Sequence, residues 1–343
     1  MKRICVLGAF GYRTTLYDGQ TIKTRNLLDL LRNNGVDADY YDTQDFQHNK
    51  LSILTMFAKV CKADYLFYLP AHNNLRFIFP IIYFLAKLFN TKIHYFVVGG
   101  WLKEFLEDKT GIVRKLSKIE GIHSETKLMK SALEKYYGFK NVDIFPNFRI
   151  NNFVPVSHHE DGKLRMVFEA RILKKKGLDT MFAMGDKIVR TGLEDKISLD
   201  FYGPLKTGEE DETYFNEGLK KYSFMKYYGP LEPESINKTL EKYDVMLLPT
   251  HFYTEGLPGS VLDAYISGIP VIVTKWKHAT EFVDDGQTGY IIPFEDNGEG
   301  LFNRVVELLN CPSKLVSMKT AARTRWYDFS AEKAWDLIQK YIS

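Results

Sequence analysis

The sequence predicts an α/β protein that contains two doubly wound parallel sheets in succession. Three observations support this prediction: short apolar runs alternate with amphipathic helical patterns, the alternation occurs twice, and a polar, unpatterned stretch at 149–163 separates the two series. A chain of 343 residues is also longer than one hydrophobic core usually serves. We therefore expect a first domain over 1–150 and a second domain over 151–322.

In the first half, each predicted strand is a short apolar run, and each predicted helix repeats apolar residues at a spacing of three to four. Gly35 follows the first helical pattern and supplies the stop that a helix C-terminus favours. The aromatic stretch 75–89 allows two interpretations, a buried crossover helix, which we favour, or a membrane-contacting patch. The predicted strands are 3–7, 36–41, 65–69 and 93–98, and the predicted helices are 20–33, 52–62 and 76–89.

In the second half, the alternation restarts after the linker, and an amphipathic pattern at 331–342 closes the chain. Open parallel sheets bind ligands beyond the carboxyl ends of their strands. Two such sheets are expected to leave a cleft between them that holds the ligand site. The predicted strands of this half are 165–168, 198–202, 245–248 and 271–273.

Charge is distributed unevenly along the chain. Residues 1–150 contain 22 Lys and Arg against 14 Asp and Glu, whereas the remainder contains 24 against 29. A basic half suits an anionic membrane surface or a phosphorylated acceptor. Because no recognised nucleic-acid-binding module or dense basic helix is visible, we expect no nucleic-acid partner.

The cysteines and the N-terminus indicate the compartment. Cys5, Cys61 and Cys311 are too few and too scattered for a disulfide framework or a zinc site, and they predict buried free thiols in a reducing compartment. The first residues lead directly into a strand, without the pattern of a signal peptide. The apolar run 77–89 is too short to span a bilayer. We expect a cytoplasmic protein, with peripheral contact at the inner face of the membrane as an open alternative.

The most informative stretch is 254–273, which predicts a loop, a short helix and a buried strand. Pro258 suits the first helical position, and Gly268 suits the position just after the helix. The first turn then offers backbone N–H groups that, with the helix dipole, favour phosphate. Glu255 and Asp263 can each accept hydrogen bonds from hydroxyl groups beside that phosphate. A phosphate flanked by two polyols is typical of a nucleotide sugar.

This segment resembles the Glu-x7-Glu signature of retaining glycosyltransferases of the large family four, which have the GT-B fold of two Rossmann-like domains facing a cleft. Asp263 stands where the second Glu usually stands. The resemblance implies that Glu255 holds the donor sugar, that Asp263 holds the ribose, and that a C-terminal helix over 323–343 packs back toward the first domain. It also implies that the following loop helps to hold the diphosphate, through Gly256, Leu257, Pro258 and Gly259.

A basic motif follows the first strand of the second half. Residues 169–177 resemble the family's Gly-Arg-x4-Lys-Gly, with Ala170 in place of the first Gly and with Arg171 and Lys176 at the matching positions. Fixed cations at that place stabilise the charge that builds on the β-phosphate as the glycosidic bond breaks. A solvated basic loop is the alternative when the motif is taken alone. Its agreement with the Glu255 motif in the same predicted domain favours a catalytic role for Arg171, Lys176 and Glu255.

Weaker candidates complete the donor side. The resemblance places Leu231 in the turn that contacts the nucleobase, and it places Gly19 in a glycine loop against the donor phosphates and the acceptor. Lys23, one turn into the first helix, either reaches a phosphate or is solvated.

The acceptor side is expected in the first domain. Many relatives carry a His that contacts the donor sugar just before a pair of glycines, and Val98 occupies that position here. We expect backbone groups at Gly100 or the side chain of Trp101 to make a contact in its place. His72 and Asn73 are further acceptor-side candidates, and a turn that caps the next helix is the alternative interpretation.

Together these patterns predict retaining transfer from a UDP- or GDP-type sugar to a hydroxyl of a saccharide or lipid-linked acceptor, in bacterial capsule, exopolysaccharide or lipopolysaccharide synthesis. No cofactor or metal is expected, because the Asp-x-Asp pattern at Asp37 and Asp39 follows a helix end and is interpreted as a strand entry. Two alternatives stay open: a non-catalytic nucleotide-sugar-binding partner subunit, and a sugar-nucleotide epimerase on the same fold. A phosphorylase-like enzyme is disfavoured, because its cofactor-lysine motif is not visible.

Overall fold

The computed structural model describes residues 2–13, 18–150, 155–206, 208 and 210–342. The chain divides into two compact units, Met1–Ile150 with Phe329–Ser343, and Asn151–Asp328. Within the described residues each unit contains a six-stranded parallel sheet flanked by helices, so the predicted α/β class with two doubly wound sheets is confirmed. Of the predicted linker 149–163, residues 151–154 lie outside the described part.

The sheet of the first unit has the order β2-β1-β3-β4-β5-β6. Along the chain, β2 is added on one side of β1, and β3 to β6 are added on the other side. This reversal of strand order between β1 and β3 opens a crevice beyond their carboxyl ends. The strands are β1 (Ile4–Gly8), β2 (Ala38–Asp42), β3 (Tyr65–Leu69), β4 (Lys92–Phe96), β5 (Gly121–Ser124) and β6 (Val142–Ile144). The helices are α1 (Gly19–Asn33), α2 (Asp45–His48), α3 (Ser52–Lys62), a π-helical turn (Asn74–Ile78), α4 (Phe79–Phe89), α5 (Leu102–Phe105), α6 (Thr110–Leu116) and α7 (Lys127–Tyr137).

The pleat of β1 explains why helices cover both faces of this sheet. Ile4 and Val6 belong to one buried cluster, which includes the apolar side of α1. Cys5 and Leu7 belong to the other, which includes the buried sides of α3 and α4. Because successive strand residues point to opposite faces, a continuous apolar strand requires cover on both sides.

The sheet of the second unit has the order β12-β11-β10-β7-β8-β9, which reverses between β7 and β10. This second reversal again marks where a ligand crevice forms in an open α/β sheet. The strands are β7 (Leu164–Glu169), β8 (Ile197–Tyr202), β9 (Met225–Tyr227), β10 (Val245–Leu248), β11 (Val271–Thr274) and β12 (Gly289–Ile292). The helices are α8 (Leu178–Thr191), α9 (Glu210–Leu219), α10 (Ile236–Leu240), α11 (Gly259–Ile266), α12 (Glu299–Asn310) and α13 (Pro312–Arg325), with single 3₁₀ turns at Lys174–Lys176, Glu194–Lys196, Pro233–Ser235, Ala279–Glu281 and Trp326–Phe329.

The last helix, α14 (Ala331–Ile342), belongs to the first unit. Its Ala334 and Ile338 are buried in the same cluster as Leu27 and Leu31 of α1. The second unit continues to Asp328, so residues 323–328, which the sequence analysis assigned to the tail, lie in the second unit. The reason is local, because α13 runs unbroken to Arg325 and buries Met318 and Ala322 on its own unit.

Two further findings concern the cysteines and the membrane. Cys5 is buried, and burial raises the pKa of its thiol to about 12. Cys311 is exposed, so the prediction of buried thiols is wrong there, because this residue lies in the short turn between two surface helices, α12 and α13. No helix in the described part of the chain is both long enough and apolar enough to cross a bilayer.

Candidate functional site

The two predicted donor motifs leave adjacent strands of the second unit. Strands β7 and β10 pair in parallel, with Met166 opposite Val245 and Val167 opposite Met246. The basic motif begins where β7 ends, and the chain to Glu255 begins where β10 ends. These are the two strands at which the strand order reverses, so both motifs lie at the place where doubly wound sheets bind ligands.

Backbone contacts hold the two loops against each other. Gly177 has φ +98°, and a Cβ at this position would lie 2.2 Å from the carbonyl oxygen of Pro249. The His251 N–H donates to the carbonyl oxygen of Lys175 at 2.8 Å, and the His251 ring nitrogen Nε2 lies 3.1 Å from the Thr180 hydroxyl. The glycine of the basic motif is therefore required for close approach as well as for its backbone angle.

Lys176 and Glu255 meet at this junction of loops. Nζ of Lys176 lies 2.6 Å from Oε2 of Glu255, and their side chains are 10% and 20% exposed. The Lys176 ammonium also lies 5.1 Å from the ring centre of Phe252, and the Thr250 hydroxyl donates to Oε2 of Glu255 at 3.4 Å. The structure thus joins two of the three predicted catalytic residues in a largely enclosed ion pair.

The loop after Glu255 leads into α11. Pro258 has ψ 136° and precedes the helix, which begins at Gly259, so its predicted place at the first helical position is wrong by one residue. The extended ψ turns the chain before the helix begins, and Pro258 supplies the carbonyl that accepts from the Val261 N–H at 3.2 Å. Gly268 has φ +67° just after the helix, as predicted. The amides of Gly259 and Ser260 lie in the first turn, where α-helical geometry provides no acceptor.

The other donor-side residues differ in exposure. Asp263 is only 2% exposed within α11, and its carbonyl oxygen accepts from the Ser267 hydroxyl at 2.8 Å. Leu231 is half-buried in the loop after β9. Arg171 is exposed, and it has no hydrogen-bond or ion-pair partner within the described ranges. The structure therefore brings Lys176 and Glu255 together, and it leaves the Arg171 guanidinium in solvent.

A hollow of about 460 Å³ lies between the same two loops and is lined in part by Phe252, whose ring contacts Lys176; the sequence patterns did not single out this lining. Two of its residues, His251 and Phe252, lie in the segment between β10 and Glu255. Their position after a strand at which the strand order reverses is the sequence feature that could have identified them as site residues. The lining residues are Leu173, Lys174, Lys175, Asp179, Asp211, His251 and Phe252.

Lys23 of the first unit is neither solvated nor directed at a surface ligand. It is 1% exposed, and Nζ lies 2.6 Å from Glu125 Oε1 and 2.8 Å from the carbonyl oxygen of Val97. Glu125 Oε2 in turn accepts from the Gly99 N–H at 3.3 Å. Both alternatives given for Lys23 are therefore wrong, because this buried pair fixes the loop that follows β4.

The acceptor-side candidates lie beyond the carboxyl ends of β3 and β4. The rings of His72 and Trp101 stack with centroids 3.7 Å apart, and partial burial lowers the pKa of His72. Gly100 is buried, whereas Asn73 is exposed and makes no side-chain capping bond to the π-helical turn. The capping interpretation is therefore not supported for Asn73. Gly19 is the exposed first residue of α1.

No group of three or more His, Cys, Asp or Glu side chains within the described residues is arranged to hold a metal ion. The Asp-x-Asp pattern lies at the start of β2, with Asp37 just before the strand and Asp39 within it, and Asp39 Oδ1 accepts from the Lys59 ammonium at 2.7 Å. These carboxylates lie at the amino end of the sheet, opposite the ends at which the site candidates lie.

Two Rossmann-like units, each with a reversal of strand order, define the GT-B class of fold. The family model for glycosyl transferases group 1 matches residues 150–325, and the chain belongs to this family. That match includes both Lys176 and Glu255.

The relatives found by sequence similarity match about half of this chain. An uncharacterized protein in the cps region of Klebsiella pneumoniae is 24% identical over 52% of this chain, and the amylovoran biosynthesis glycosyltransferase AmsK of Erwinia amylovora is 24% identical over 47%. These matches span 45% and 40% of the relatives' own lengths, so the chain spans less than half of each.

Solved structures match almost the whole chain. Sucrose-phosphate synthase from Thermosynechococcus elongatus has a TM-score of 0.76 at 12% identity, covering 99% of this chain and 98% of that one. HepE of Anabaena in complex with UDP-glucose has a TM-score of 0.75 at 13% identity, covering 100% and 99%. At such identities the similarity shows the fold.

Proposed function

We propose that the protein is a retaining glycosyltransferase that moves a sugar from a UDP- or GDP-sugar to a hydroxyl of a saccharide or lipid-linked acceptor. The observation that carries the proposal is the Lys176–Glu255 pair, which lies where the strand order of the second unit reverses. A cation and a carboxylate fixed side by side suit a donor that presents a diphosphate next to a polyhydroxylated ring.

In this proposal the two side chains have different tasks. The bond between the sugar C1 and the diphosphate oxygen breaks, and negative charge develops on the departing diphosphate. A bond from C1 to the acceptor oxygen forms on the same face, and the proton of the acceptor hydroxyl passes to the departing diphosphate. Lys176, held at 2.6 Å from Glu255, stabilises that charge without having to reorganise, and the exposed Arg171 closes on it as a second cation. Glu255 accepts from the hydroxyls of the sugar.

The remaining donor contacts are assigned to the loop Gly256, Leu257, Pro258 and Gly259, to Asp263 for the ribose, and to Leu231 for the base. The first-turn amides of α11 support the diphosphate assignment, because orphan N–H groups at a helix start favour anions. Asp263 must become accessible for its assignment to hold, since it is 2% exposed here.

The comparisons support the type of substrate. HepE, similar in fold, was solved with UDP-glucose, and AmsK is named for amylovoran biosynthesis. We therefore propose a nucleotide-sugar donor, a role in bacterial surface polysaccharide synthesis such as capsule or lipopolysaccharide, and a place at the cytoplasmic face of the membrane. We propose that Lys176 and Arg171 make a metal or cofactor unnecessary, so that chelation with EDTA leaves transfer unchanged.

The test begins with thermal shift against UDP, GDP and their sugars, because a ligand that binds the native state raises the melting temperature. The stabilising donor is then assayed for hydrolysis and transfer with the wild type, Glu255→Ala and Arg171→Ala, and with Arg190→Ala on α8 as the matched control. We expect the two site variants to lose activity and Arg190→Ala to retain it.

Three outcomes would contradict the proposal. Wild-type activity in both site variants would remove the assigned roles. Nucleotide binding without turnover would favour a non-catalytic partner subunit, and release of a free altered sugar without an acceptor would favour an epimerase.

A further inference from the structure

The helix α4 and the turn before it expose one continuous apolar face. Phe77, Ile81, Phe84 and Leu88 follow one another at spacings of four, three and four, and they are 60%, 45%, 66% and 66% exposed. The opposite side of the helix is also apolar, with Phe79, Ile82 and Ala86 buried in the core. A helix that is apolar all round is normally buried on all sides, so an exposed half indicates a surface that something covers.

Helix α3 extends this face. Leu51, just before α3, and Leu54 within it are 72% and 63% exposed. The buried residues of α3, Met56 and Val60, belong to the same core cluster as Phe79 and Ile82 of α4. Because both helices cover the same side of the sheet, their exposed sides point outward together. We call this surface the apolar face, and it comprises Leu51, Leu54, Phe77, Ile81, Phe84 and Leu88.

The charges within the chain segment that forms the apolar face are almost all positive. Neither α3 nor α4 contains an Asp or Glu, and the only acidic residue in 46–92 is Asp64. The Arg76 guanidinium lies 5.1 Å from the ring centre of Phe77, and the Lys87 ammonium lies 5.9 Å from that of Tyr83, so cations border the apolar side chains. The basic residues of the segment are Lys50, Lys59, Lys62, Arg76, Lys87 and Lys92.

We propose that the apolar face docks on an anionic lipid bilayer. Its side chains enter the boundary between headgroups and acyl chains, and the bordering cations contact lipid phosphates. A second copy of the chain fits less well, because joining two such faces would bring like charges together. The buried-crossover interpretation of 75–89 then applies to one side of α4, and the membrane interpretation to the other.

This inference rests on the proposed function for its biological purpose. The π-helical turn starts at Asn74, directly after His72 and Asn73, which are the acceptor-side candidates. Docking through α4 therefore brings the bilayer to the chain segment that would receive a lipid-linked acceptor. The same unit supplies both features, since all these residues belong to the first unit.

The test is sedimentation with vesicles of phosphatidylglycerol and phosphatidylethanolamine, compared with vesicles of phosphatidylcholine alone. The wild type is expected to bind the anionic vesicles more tightly and to lose affinity as salt rises. The double variant Phe84→Ser with Leu88→Ser is expected to bind them at least about tenfold more weakly, because two exposed apolar side chains no longer enter the bilayer. The matched control is Val189→Ser with Val316→Ser, which removes two exposed apolar side chains from helices of the second unit and should bind like the wild type.

Vesicle binding is measured without sugar nucleotide, so its result is independent of glycosyl transfer. Absence of wild-type binding, or equal binding by the Phe84→Ser/Leu88→Ser variant, would overturn the proposal. A wild-type dimer that this variant converts to a monomer in light scattering, with no vesicle binding, would assign the face to contact between copies instead. Transfer to a water-soluble acceptor should be unchanged in the Phe84→Ser/Leu88→Ser variant. Absence of transfer by the wild type, with vesicle binding as expected, would count against the proposed function alone.

Discussion

Lys176 and Glu255 lie 79 positions apart in the chain, and their side chains pair at 2.6 Å between Nζ and Oε2. The pair depends on two adjacent strands, since β7 leads to one residue and β10 leads to the other. The position of each side chain therefore depends on its own strand and on the contacts that hold the two loops together.

We expect Lys176→Met and Glu255→Gln each to lower kcat/KM for transfer by about 10²–10³, because a fixed charge at the reacting centre is lost. The double variant should lose less than the sum of the two single losses, since each side chain positions the other through their ion pair. Steady-state kinetics of the four proteins measure this, with circular dichroism as the folding control. Fully additive losses would show that the two residues act independently.

Gly177→Ala should destabilise the second unit by about 3 kcal/mol or more, because φ is +98° and the new Cβ would lie 2.2 Å from the Pro249 carbonyl oxygen. Gly192→Ala is the matched control, since its φ is +65° and no atom lies within 4 Å of the added Cβ. The control should cost only about 1–2 kcal/mol of backbone strain. Urea unfolding of both variants measures the difference, and equal losses would contradict the close contact.

Lys319→Met should cost about 3–5 kcal/mol of stability, because it leaves the carboxylate of Asp244 buried without its ammonium partner at 2.8 Å. Burial alone would raise the pKa of Asp244, but the Lys319 charge and hydrogen bonds from His159 and the Arg165 N–H hold it below its usual value. The contribution of Asp244 is therefore present above pH 3.8 and is lost as pH falls through the lower folded pKa.

Urea unfolding of Lys319→Met and of the double variant with Asp244→Asn tests the buried ion pair. The double variant should recover part of the loss, because a neutral amide is easier to bury than an unpaired carboxylate. A double variant less stable than Lys319→Met would contradict this account.

A histidine pair predicts a pH dependence for the first unit. His94 Nδ1 and His123 Nε2 lie 2.9 Å apart under Tyr341 of α14, and burial lowers the pKa of His94 to about 4 and that of His123 well below 6.5. Below pH 6.5 the unfolded chain binds protons that the folded chain excludes, so stability falls as pH drops from 6.5 toward 4 and is unaffected by this pair above 6.5.

The measurement is the free energy of unfolding between pH 7.5 and pH 4.5. His94→Phe with His123→Phe should flatten the slope across this window, whereas the exposed His158→Gln should retain it. An unchanged slope in the double variant would assign the pH dependence to other groups.

The strongest local patterns were enough to place many elements. Predicted strands 65–69 and 245–248 and predicted helices 52–62 and 331–342 have the bounds found in the structure. Strand β5 was not predicted, because Gly121, His123 and Ser124 interrupt its apolar pattern and become buried only through neighbouring strands. The helix predicted over 76–89 begins with a π-helical turn at Asn74–Ile78, which periodicity at 3.6 residues does not reveal.

Some site residues were likewise found from local sequence, whereas others depend on packing that local sequence does not reveal. Resemblance to two family motifs identified Lys176 and Glu255 as candidates, and the strand pattern placed both motifs beyond the carboxyl ends of strands, where ligands bind. Lys23 looked like a surface lysine, and only the packing of β4 and β5 around it shows that it is paired with Glu125 in the core.

The sequence by itself determined the α/β class, the two sheets and the placement of charged motifs after particular strands, because periodicity and turn residues act over a few neighbours. Only the tertiary structure decided which strands lie side by side, that Lys176 reaches Glu255, and that one side of α4 stays exposed. These properties depend on residues distant in the chain, and burial is decided by what packs against a side chain rather than by the side chain alone.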